Sequence, residues 1–283
     1  MKESTVKGRK ESCFVALPVE KLKYAQLVNR FDGLGVDLFA CGVNALLFQG
    51  GLPRFCALSC LLINQEICEG IEGEILRFCE ENNCVYKGRI VEEDLKSPAV
   101  RAEFWGERKL PVAKVEAGDK VLGLLTDGVH NSGFHLLEKL FSTEDKVLME
   151  AFDKQFFSTA EEELLKPTAL YAGLGGLVEK GLFKSGAAVL GSGVTGAVCE
   201  ALKEGVGAVL EKSAYKKPIL FETLQLRAGL DDERAYKTFT MGIGGVLIVG
   251  RGQADGVLAE LKNAGIEACI LGETVAEKGV FWI

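Results

Sequence analysis

Glycines separate the apolar segments of this sequence, and that feature limits the folds open to the chain more than any other. The 283 residues include 34 glycines, which is about 12% of the chain against a typical ~7%. Glycine and proline together stay near ~14%, below the ~25–30% typical of disordered chains. The glycines stand between apolar stretches of helical and strand period, so the pattern predicts short helices and strands joined by tight turns.

Composition supports a folded chain and excludes several classes of protein. With 48% hydrophobic residues, the chain can bury a core, and its length favours about two domains. A net charge of −7 and a pI near 5.2 argue against a nucleic-acid partner. The longest apolar runs, 56–63 and 244–250, are shorter than the ~18 residues of a membrane span. The charged segment 1–12 lacks a following apolar stretch, so we expect a cytoplasmic protein that does not bind membranes.

The nine cysteines include no C-x-x-C pair, and only two histidines accompany them. This pattern disfavours a zinc site. Cys41, Cys56 and Cys79 occupy apolar positions of helical or strand pattern. We therefore expect reduced cysteines that behave as small buried apolar residues.

The first hundred residues follow a strand and helix order. Apolar spacing predicts a helix over 36–49, a strand over 54–63, a helix from Ile67 to Phe78 and a strand from Cys84. This order indicates a small α/β layer with helices on one face. The alternation of Val100, Ala102 and Phe104 is typical of an exposed strand.

A charged segment between Lys87 and Lys114 indicates a domain boundary, and we expect domains over 1–106 and 107–283. The predicted class is α+β, with α/β sandwich layers in two domains. A buried strand is expected within 115–128. The remaining predicted elements are a helix over 132–141, a helix over 161–180, a strand over 186–190, a helix over 194–203, a strand over 206–210, a helix over 218–228, a strand over 244–250, a helix over 253–264 and a strand over 266–271.

The segment 124–140 could bind an anion. It predicts a strand, a glycine-bearing loop and a helix with Asn131 or Ser132 as N-cap. Free N–H groups at such a helix start can bind a phosphate, and His130 could contact it or act as acid or base. The alternative is a glycine-rich turn that only caps the helix.

A second glycine cluster, Gly191, Gly193 and Gly196, also follows a strand and opens a helix. The G-x-G-x-x-G spacing is weak by itself, and no acidic strand end follows about 20 residues later. Nicotinamide binding is therefore disfavoured.

A third cluster places Thr238, Thr240, Gly242 and Gly244 directly before an apolar strand. The residue types fit a bulged strand entry, where glycine permits a close backbone approach.

These glycine clusters, in this order, resemble aminoimidazole ribonucleotide synthetase, the phosphoribosylformylglycinamidine cyclo-ligase of purine synthesis, across 15–275. The resemblance implies two α/β domains and a homodimer joined through the N-terminal domains. It also implies that ATP, with Mg²⁺, activates the formyl oxygen of formylglycinamidine ribonucleotide so that a nitrogen closes the imidazole ring. The segments that carry it are KLKYA (21–25), GVDLFACGVNALLFQGGLP (35–53), GDKVLGLLTDGVHNSGFHLLEK (118–139), LLKPTALY (164–171), KPILFETLQ (217–225) and YKTFTMGIG (236–244).

The sequence departs from the family in four loops. The family's Thr-Asp-Gly-Val-Gly-Thr-Lys loop aligns with 15–21, where only Lys21 remains, and its Asn-Asp pair is Asn44-Ala45. Its Gly-Gly-Glu-Thr loop corresponds to about 88–91 and loses the Glu. Its His-x-Thr-Gly-Gly-Gly element aligns with 189–194 and loses both His and Thr.

The resemblance assigns roles to the residues that remain. Asp37 would hold metal, Lys21 would contact phosphate, and Asp127 and His130 would be catalytic. The residues implied in cofactor binding are Lys21, Asn44, Gly128, Ser132, Gly133, Thr238, Gly242 and Gly244.

Three readings of the function follow. The chain is a cyclo-ligase with weak or altered ATP use, a non-catalytic relative that acts as a structural or regulatory dimer partner, or an ATP-independent binder of a phosphorylated metabolite through 126–133.

Overall fold

The computed structural model describes residues 10–61, 63–90, 98–111, 113–141, 143–202 and 205–283. Two separate main sheets, each packed against helices, form two α/β units. The predicted fold class is confirmed. The predicted boundary after residue 106 falls inside a strand that continues to Arg108.

The N-terminal sheet has four strands in the order β1-β4-β2-β3. The β2–β3 pair is parallel, and the β1–β4 and β2–β4 pairs are antiparallel. The elements are β1 (Lys10–Ala16), α1 (Val19–Val28), α2 (Leu34–Phe48), β2 (Gly51–Leu61), α3 (Gln65–Glu81), β3 (Val85–Arg89) and β4 (Ala99–Arg108).

Helix α2 is apolar on nearly every side because it lies between the two sheets. Glycines let it approach both of them. A Cβ added at Gly42 would lie 2.1 Å from the Phe104 ring, and one added at Gly245 would lie 2.0 Å from the Phe48 ring. The α2 side chains therefore join the two domains into one core.

The C-terminal sheet has six strands in the order β12-β9-β11-β5-β10-β8. Only the β12–β9 pair is parallel among these neighbours. The elements are β5 (Lys120–Leu125), α4 (Phe134–Leu140), α5 (Lys146–Glu150), β6 (Phe152–Asp153), β7 (Ser158–Thr159), α6 (Ala160–Leu164), α7 (Leu174–Lys180), β8 (Ser185–Ala188), α8 (Gly193–Leu202), β9 (Gly207–Leu210), a 3₁₀ turn (Lys212–Ala214), α9 (Ile219–Arg227), α10 (Asp232–Thr238), β10 (Ile243–Val249), α11 (Ala254–Asn263), β11 (Ala268–Val275) and β12 (Val280–Trp282).

The helix predicted over 161–180 is wrong as one element. The structure has two short helices there, α6 and α7, separated by an irregular segment. Pro167 lies in that segment, and its ring disfavours helical geometry at the residue before it. The irregular backbone of this segment donates hydrogen bonds to Asp37, His130 and Asn44.

The strand over Val100 to Phe104 is present, but its predicted exposure is wrong. Strand β4 lies between β1 and β2, and Val100, Ala102 and Phe104 are all buried under α2. The alternation marks a strand with one buried face.

The bulged entry predicted before the apolar strand is confirmed, because the pairing of β10 with β5 shifts register between Ile243 and Gly245. Burial of Cys41, Cys56 and Cys79 is also confirmed. Within the described part of the chain, no helix is both long and apolar enough to cross a bilayer.

Candidate functional site

A buried polar network joins the two domains where α1 and α2 meet two C-terminal segments. Lys21 comes from α1, and Asp37 and Asn44 come from α2. The C-terminal segments are 126–133, after β5, and 166–171, between α6 and α7. Several residues that the sequence singled out therefore meet at one place.

Asp37 is saturated with hydrogen-bond donors. Its Oδ1 accepts from the Thr168 N–H at 2.8 Å and from the Thr168 hydroxyl. Its Oδ2 accepts from Lys21 Nζ at 2.8 Å and, with the Asn131 amide turned so that its nitrogen faces the carboxylate, from that amide at 2.9 Å. A carboxylate offers about four acceptor positions, so these four donors satisfy Asp37 inside the protein.

Lys21 is fully buried, with a side-chain exposure of 0%. Besides Asp37, its ammonium donates to the carbonyls of His130 at 3.3 Å and Lys166 at 3.4 Å. The three donor positions of Lys21 are thus directed to protein acceptors. A phosphate contact by this lysine would require the buried pair to open.

His130 is buried and acts as an acceptor. Its Nε2 accepts from the Thr126 hydroxyl at 2.7 Å and from the Ala169 N–H at 3.2 Å. An Nε2 with two donors carries no proton, so the neutral ring carries its proton on Nδ1. Burial lowers the pKa of His130 to about 4. The residue has a positive φ of 53°, and its ring ties the loop after β5 to residue 169.

Asn44 and Tyr171 position the other C-terminal segment. Asn44 donates to the Ala169 carbonyl at 2.7 Å and accepts from the Tyr171 N–H at 2.9 Å. The Tyr171 hydroxyl donates to the Leu125 carbonyl at 3.2 Å. The non-helical backbone of this segment is therefore paired on both sides.

Glycine is required at two points where backbone passes beneath the network. A Cβ at Gly244 would lie 2.1 Å from the Tyr171 hydroxyl oxygen and 2.7 Å from His130 Cε1. Gly133 has φ 69° and lies against the Phe239 ring, 2.3 Å from an added Cβ. These glycines serve packing of the loops around the network.

The N-cap predicted at Asn131 or Ser132 is wrong. The N-cap of α4 is Gly133, and no side chain caps the helix. The Asn131 amide turns to Asp37, and Ser132 donates its hydroxyl to the Val129 carbonyl at 2.7 Å. These two polar side chains are used to hold the loop.

An open cleft of about 480 Å³ lies beside the buried network. Asp127 stands at its edge with a side chain 73% exposed, and it pairs with Lys166 at 2.5 Å. Lys216 also lines the cleft, and none of the ion pairs seen among the described residues includes it. The other lining residues are Leu125, Thr126, Ala169, Leu170, Tyr171, Gly242, Gly265, Ile266 and Glu267. The cleft thus presents charges of both signs and exposed backbone.

The remaining predicted residues lie around the same loops. The Gly128 carbonyl accepts from Thr240 Oγ1 at 3.0 Å, and Thr238 donates to the Arg234 carbonyl at 2.7 Å. Gly242 lines the cleft, has φ 96° and would press a Cβ against Pro218 at 2.6 Å. Of these residues, Gly242 faces the cleft directly.

Asp37, which the resemblance assigns to metal, does not fit a magnesium ligand in this arrangement. Magnesium needs free oxygen ligands, yet all acceptor positions of Asp37 are taken. Across the described ranges, the one group of three or more His, Cys, Asp or Glu side chains close enough to share an ion contains only cysteines.

Four residues that complete the two regions have no individually predicted role: Thr126, Lys166, Thr168 and Lys216. Thr126 is the first residue of the predicted binding loop 126–133. Lys166 and Thr168 flank Pro167, which breaks the supposed helix. That proline was the available signal that the segment is a loop.

Comparison with known proteins places these features in a family. The AIR synthase related protein C-terminal domain family matches residues 116–283. Phosphoribosylformylglycinamidine cyclo-ligase of Alkaliphilus oremlandii is 31% identical over 271 residues, covering 90% of this chain and 78% of the relative. The Pseudothermotoga lettingae enzyme of the same name is 30% identical, covering 92% and 80%. The human trifunctional purine biosynthetic protein adenosine-3 is 31% identical, covering 90% of this chain and 27% of that protein.

Solved structures share the fold at low sequence identity. Thiamine monophosphate kinase of Aquifex aeolicus has a TM-score of 0.68 at 17% identity, covering 99% of this chain and 91% of the kinase. The hydrogenase maturation protein HypE of Escherichia coli has a TM-score of 0.68 at 18% identity, covering 98% and 83%. The two-sheet fold is thus common to proteins with different names. The sequence relationship is narrower than the fold: this chain belongs to the phosphoribosylformylglycinamidine cyclo-ligase family.

Proposed function

We propose that this chain is a cyclo-ligase-like protein of purine biosynthesis that binds a phosphorylated ribonucleotide precursor without performing ATP-dependent ring closure itself. The class of ligand comes from the family, whose cyclo-ligases are named for formylglycinamidine ribonucleotide. The proposed binding place is the cleft lined by Asp127 and Lys216. The chain then acts as a non-catalytic member, in a homodimer or beside a catalytic relative.

The cleft supports the binding half of the proposal. Lys216 is exposed in it and faces no carboxylate partner among the described ion pairs. Such an ammonium can receive a phosphate as a point charge. Asp127 and Glu267 add acceptors suited to hydroxyl and amine groups of a ribonucleotide.

One observation carries the non-catalytic half: Asp37 and Lys21 are bound to each other and to the loops in a fully buried pair. Phosphoryl transfer depends on metal ions and cations aimed at the transferred group. The residues that the family resemblance assigns to metal and phosphate are directed elsewhere here. Each ~1.4 kcal/mol of lost transition-state stabilisation costs tenfold in rate, so the loss of this machinery lowers ring closure by many orders of magnitude.

The test is calorimetric titration of the full chain with formylglycinamidine ribonucleotide, with no nucleotide present. We expect saturable binding that weakens about tenfold or more in Lys216→Ala, since a hydrogen bond between charged groups contributes ~1.5–3 kcal/mol. Lys278→Ala is the matched control, because Lys278 is exposed and does not line the cleft. Equal weakening in both variants, or no binding at all, contradicts the proposed ligand.

A turnover assay with ribonucleotide and magnesium-ATP then separates the non-catalytic protein from a slow cyclo-ligase. We expect no product above the background measured without protein. Formation of aminoimidazole ribonucleotide above that background would restore the interpretation of the chain as a weak cyclo-ligase.

A further inference from the structure

Three cysteine sulfurs meet in the core of the N-terminal domain, away from the network and the cleft. Cys56 lies on β2, Cys79 on α3, and Cys84 directly before β3. Their Sγ atoms all lie within 4.8 Å of one another, and those of Cys56 and Cys79 are 3.2 Å apart. The relative exposures of the three residues are 0%, 3% and 5%. The group is therefore a closed set of three soft donors.

The fold brings these sulfurs together from separate positions in the chain. Helix α3 packs on β3 and α2, its Cys79 sulfur contacts Cys56 of β2, and Ile75, one turn before Cys79, is fully buried. The turn after α3 brings Cys84 back, with its N–H donating to the Cys79 carbonyl at 3.0 Å. The site is thus held by backbone on three sides.

We propose that Cys56, Cys79 and Cys84 form a three-sulfur binding site for a trivalent thiophilic metalloid ion, represented by arsenite. Arsenous acid and three thiols condense to one tris-thiolate complex and three waters. Three As–O bonds and three S–H bonds break, and three As–S bonds form. Each released hydroxyl takes one thiol proton and leaves as water. Arsenic remains trivalent, so no oxidant or reductant is needed.

Charge selects a trivalent ion over monovalent and divalent ones. Three thiolates with a trivalent ion form a complex of zero net charge. With copper(I) the net charge of the buried complex would be −2, and with zinc it would be −1. Burying an uncompensated ion costs several kcal/mol. Cys79 is in the last turn of α3, where the helix dipole is negative and disfavours an anionic complex further.

Coordination geometry favours the same ion. Zinc in structural sites takes four ligands. Among the described residues, the group that could bind an ion contains only these three cysteines, so it supplies no fourth ligand. With bonds of about 2.3 Å, two ligand sulfurs lie ~3.3 Å apart at a 90° bond angle and ~4.0 Å apart at 120°. The 3.2 Å between Cys56 and Cys79 matches the narrow angle of a pyramidal centre.

The experiment uses the full chain, reduced and kept without oxygen, with sodium arsenite as probe. We expect one arsenic per chain after desalting of the folded protein. X-ray absorption should show three sulfur neighbours and no oxygen. Cys84→Ala, which leaves two thiols, should weaken binding about tenfold or more and replace one sulfur by oxygen.

The matched control is Cys60→Ala with Cys68→Ala, because these two thiols also contact each other but have no third ligand group close by among the described residues. That variant should keep the three-sulfur signature. Circular dichroism checks that each variant is folded, and Cys56→Ala provides a second test if Cys84→Ala is not. Three results would overturn the proposal. The first is a spectrum with two sulfurs and one oxygen in the unmodified chain, and the second is retention of three sulfurs in both site variants. The third is a Cys56–Cys79 disulfide that persists under the reducing conditions.

Discussion

The buried network and the open cleft share residues of the same two C-terminal segments, yet the network is closed to solvent and the cleft faces it. Thr126 and Thr168 point into the network, while their near neighbours Asp127 and Lys166 form an exposed pair at the cleft. Adjacent residues thus hold the loops on one side and face solvent on the other. Polar side chains of these two segments therefore hold the loops together through hydrogen bonds.

The two ion pairs make the difference quantitative. Lys21–Asp37 has side-chain exposures of 0% and 1%, whereas Lys166–Asp127 has 38% and 73%. Removing one partner of a buried pair leaves an uncompensated charge, but an exposed pair contributes only ~0–1 kcal/mol.

Lys21→Met should lower the free energy of unfolding by about 3–5 kcal/mol, because Asp37 keeps its buried carboxylate without the ammonium. Lys166→Met is the matched control and should cost less than about 1 kcal/mol. Urea unfolding of both variants measures the difference. Equal losses would mean that the two pairs do not differ as their burial indicates.

Lowering the pH should destabilise the protein through His130. Its pKa is about 4 in the folded chain and near 6.5 when unfolded, so the unfolded chain binds more protons between these values. The contribution of neutral His130 to the free energy of unfolding is fully present above pH 6.5. About 3 kcal/mol of that free energy is lost as the pH falls from 6.5 toward 4.

His130→Asn should remove that part of the pH dependence, since asparagine tolerates the positive φ at this position. His135→Asn, on the exposed face of α4, should keep it. Unfolding free energies at several pH values test this, and parallel curves for the native chain and His130→Asn would refute the role of His130.

Gly244→Ala should destabilise the chain by about 1–3 kcal/mol, because its methyl group would press on the Tyr171 hydroxyl and the His130 ring. Gly256→Ala, inside α11 with no atom near the added Cβ, should instead stabilise by about 0.5–1 kcal/mol. Thermal unfolding separates the two signs. A loss in both variants would point to a general effect of removing glycine.

Tyr171→Phe should cost about 0.5–1.5 kcal/mol, the value of one hydrogen bond to the Leu125 carbonyl. The same change should weaken ribonucleotide binding slightly, since Tyr171 and Leu125 both line the cleft. Urea unfolding and the calorimetric titration measure the two effects. An unchanged stability would show that water replaces the hydroxyl there.

Much of the fold could be predicted because local pattern and packing agree. The apolar period of α2 and α3 and the bulge before β10 were readable from residue spacing. The break between α6 and α7 was not recognised, because apolar residues on both sides of Pro167 continue a helical period. Burial of β4 depends on pairing with distant strands.

The site could be predicted only as a set of positions. Spacing placed Asp127, His130 and Gly242 in loops that do meet. It could not reveal that Lys21 and Asp37 satisfy each other, because they come from different helices. The three-cysteine cluster was missed for the same reason, as its members lie on a strand, a helix and a turn.

The polar groups that match the family's nucleotide site, Lys21 and Asp37, bond to other groups of the protein. Equilibrium dialysis of the full chain with labelled ATP and magnesium tests whether they can still bind nucleotide. We predict no saturable binding up to millimolar nucleotide, with or without the ribonucleotide. Saturable binding of one ATP per chain that is abolished by Asp37→Asn would contradict the account.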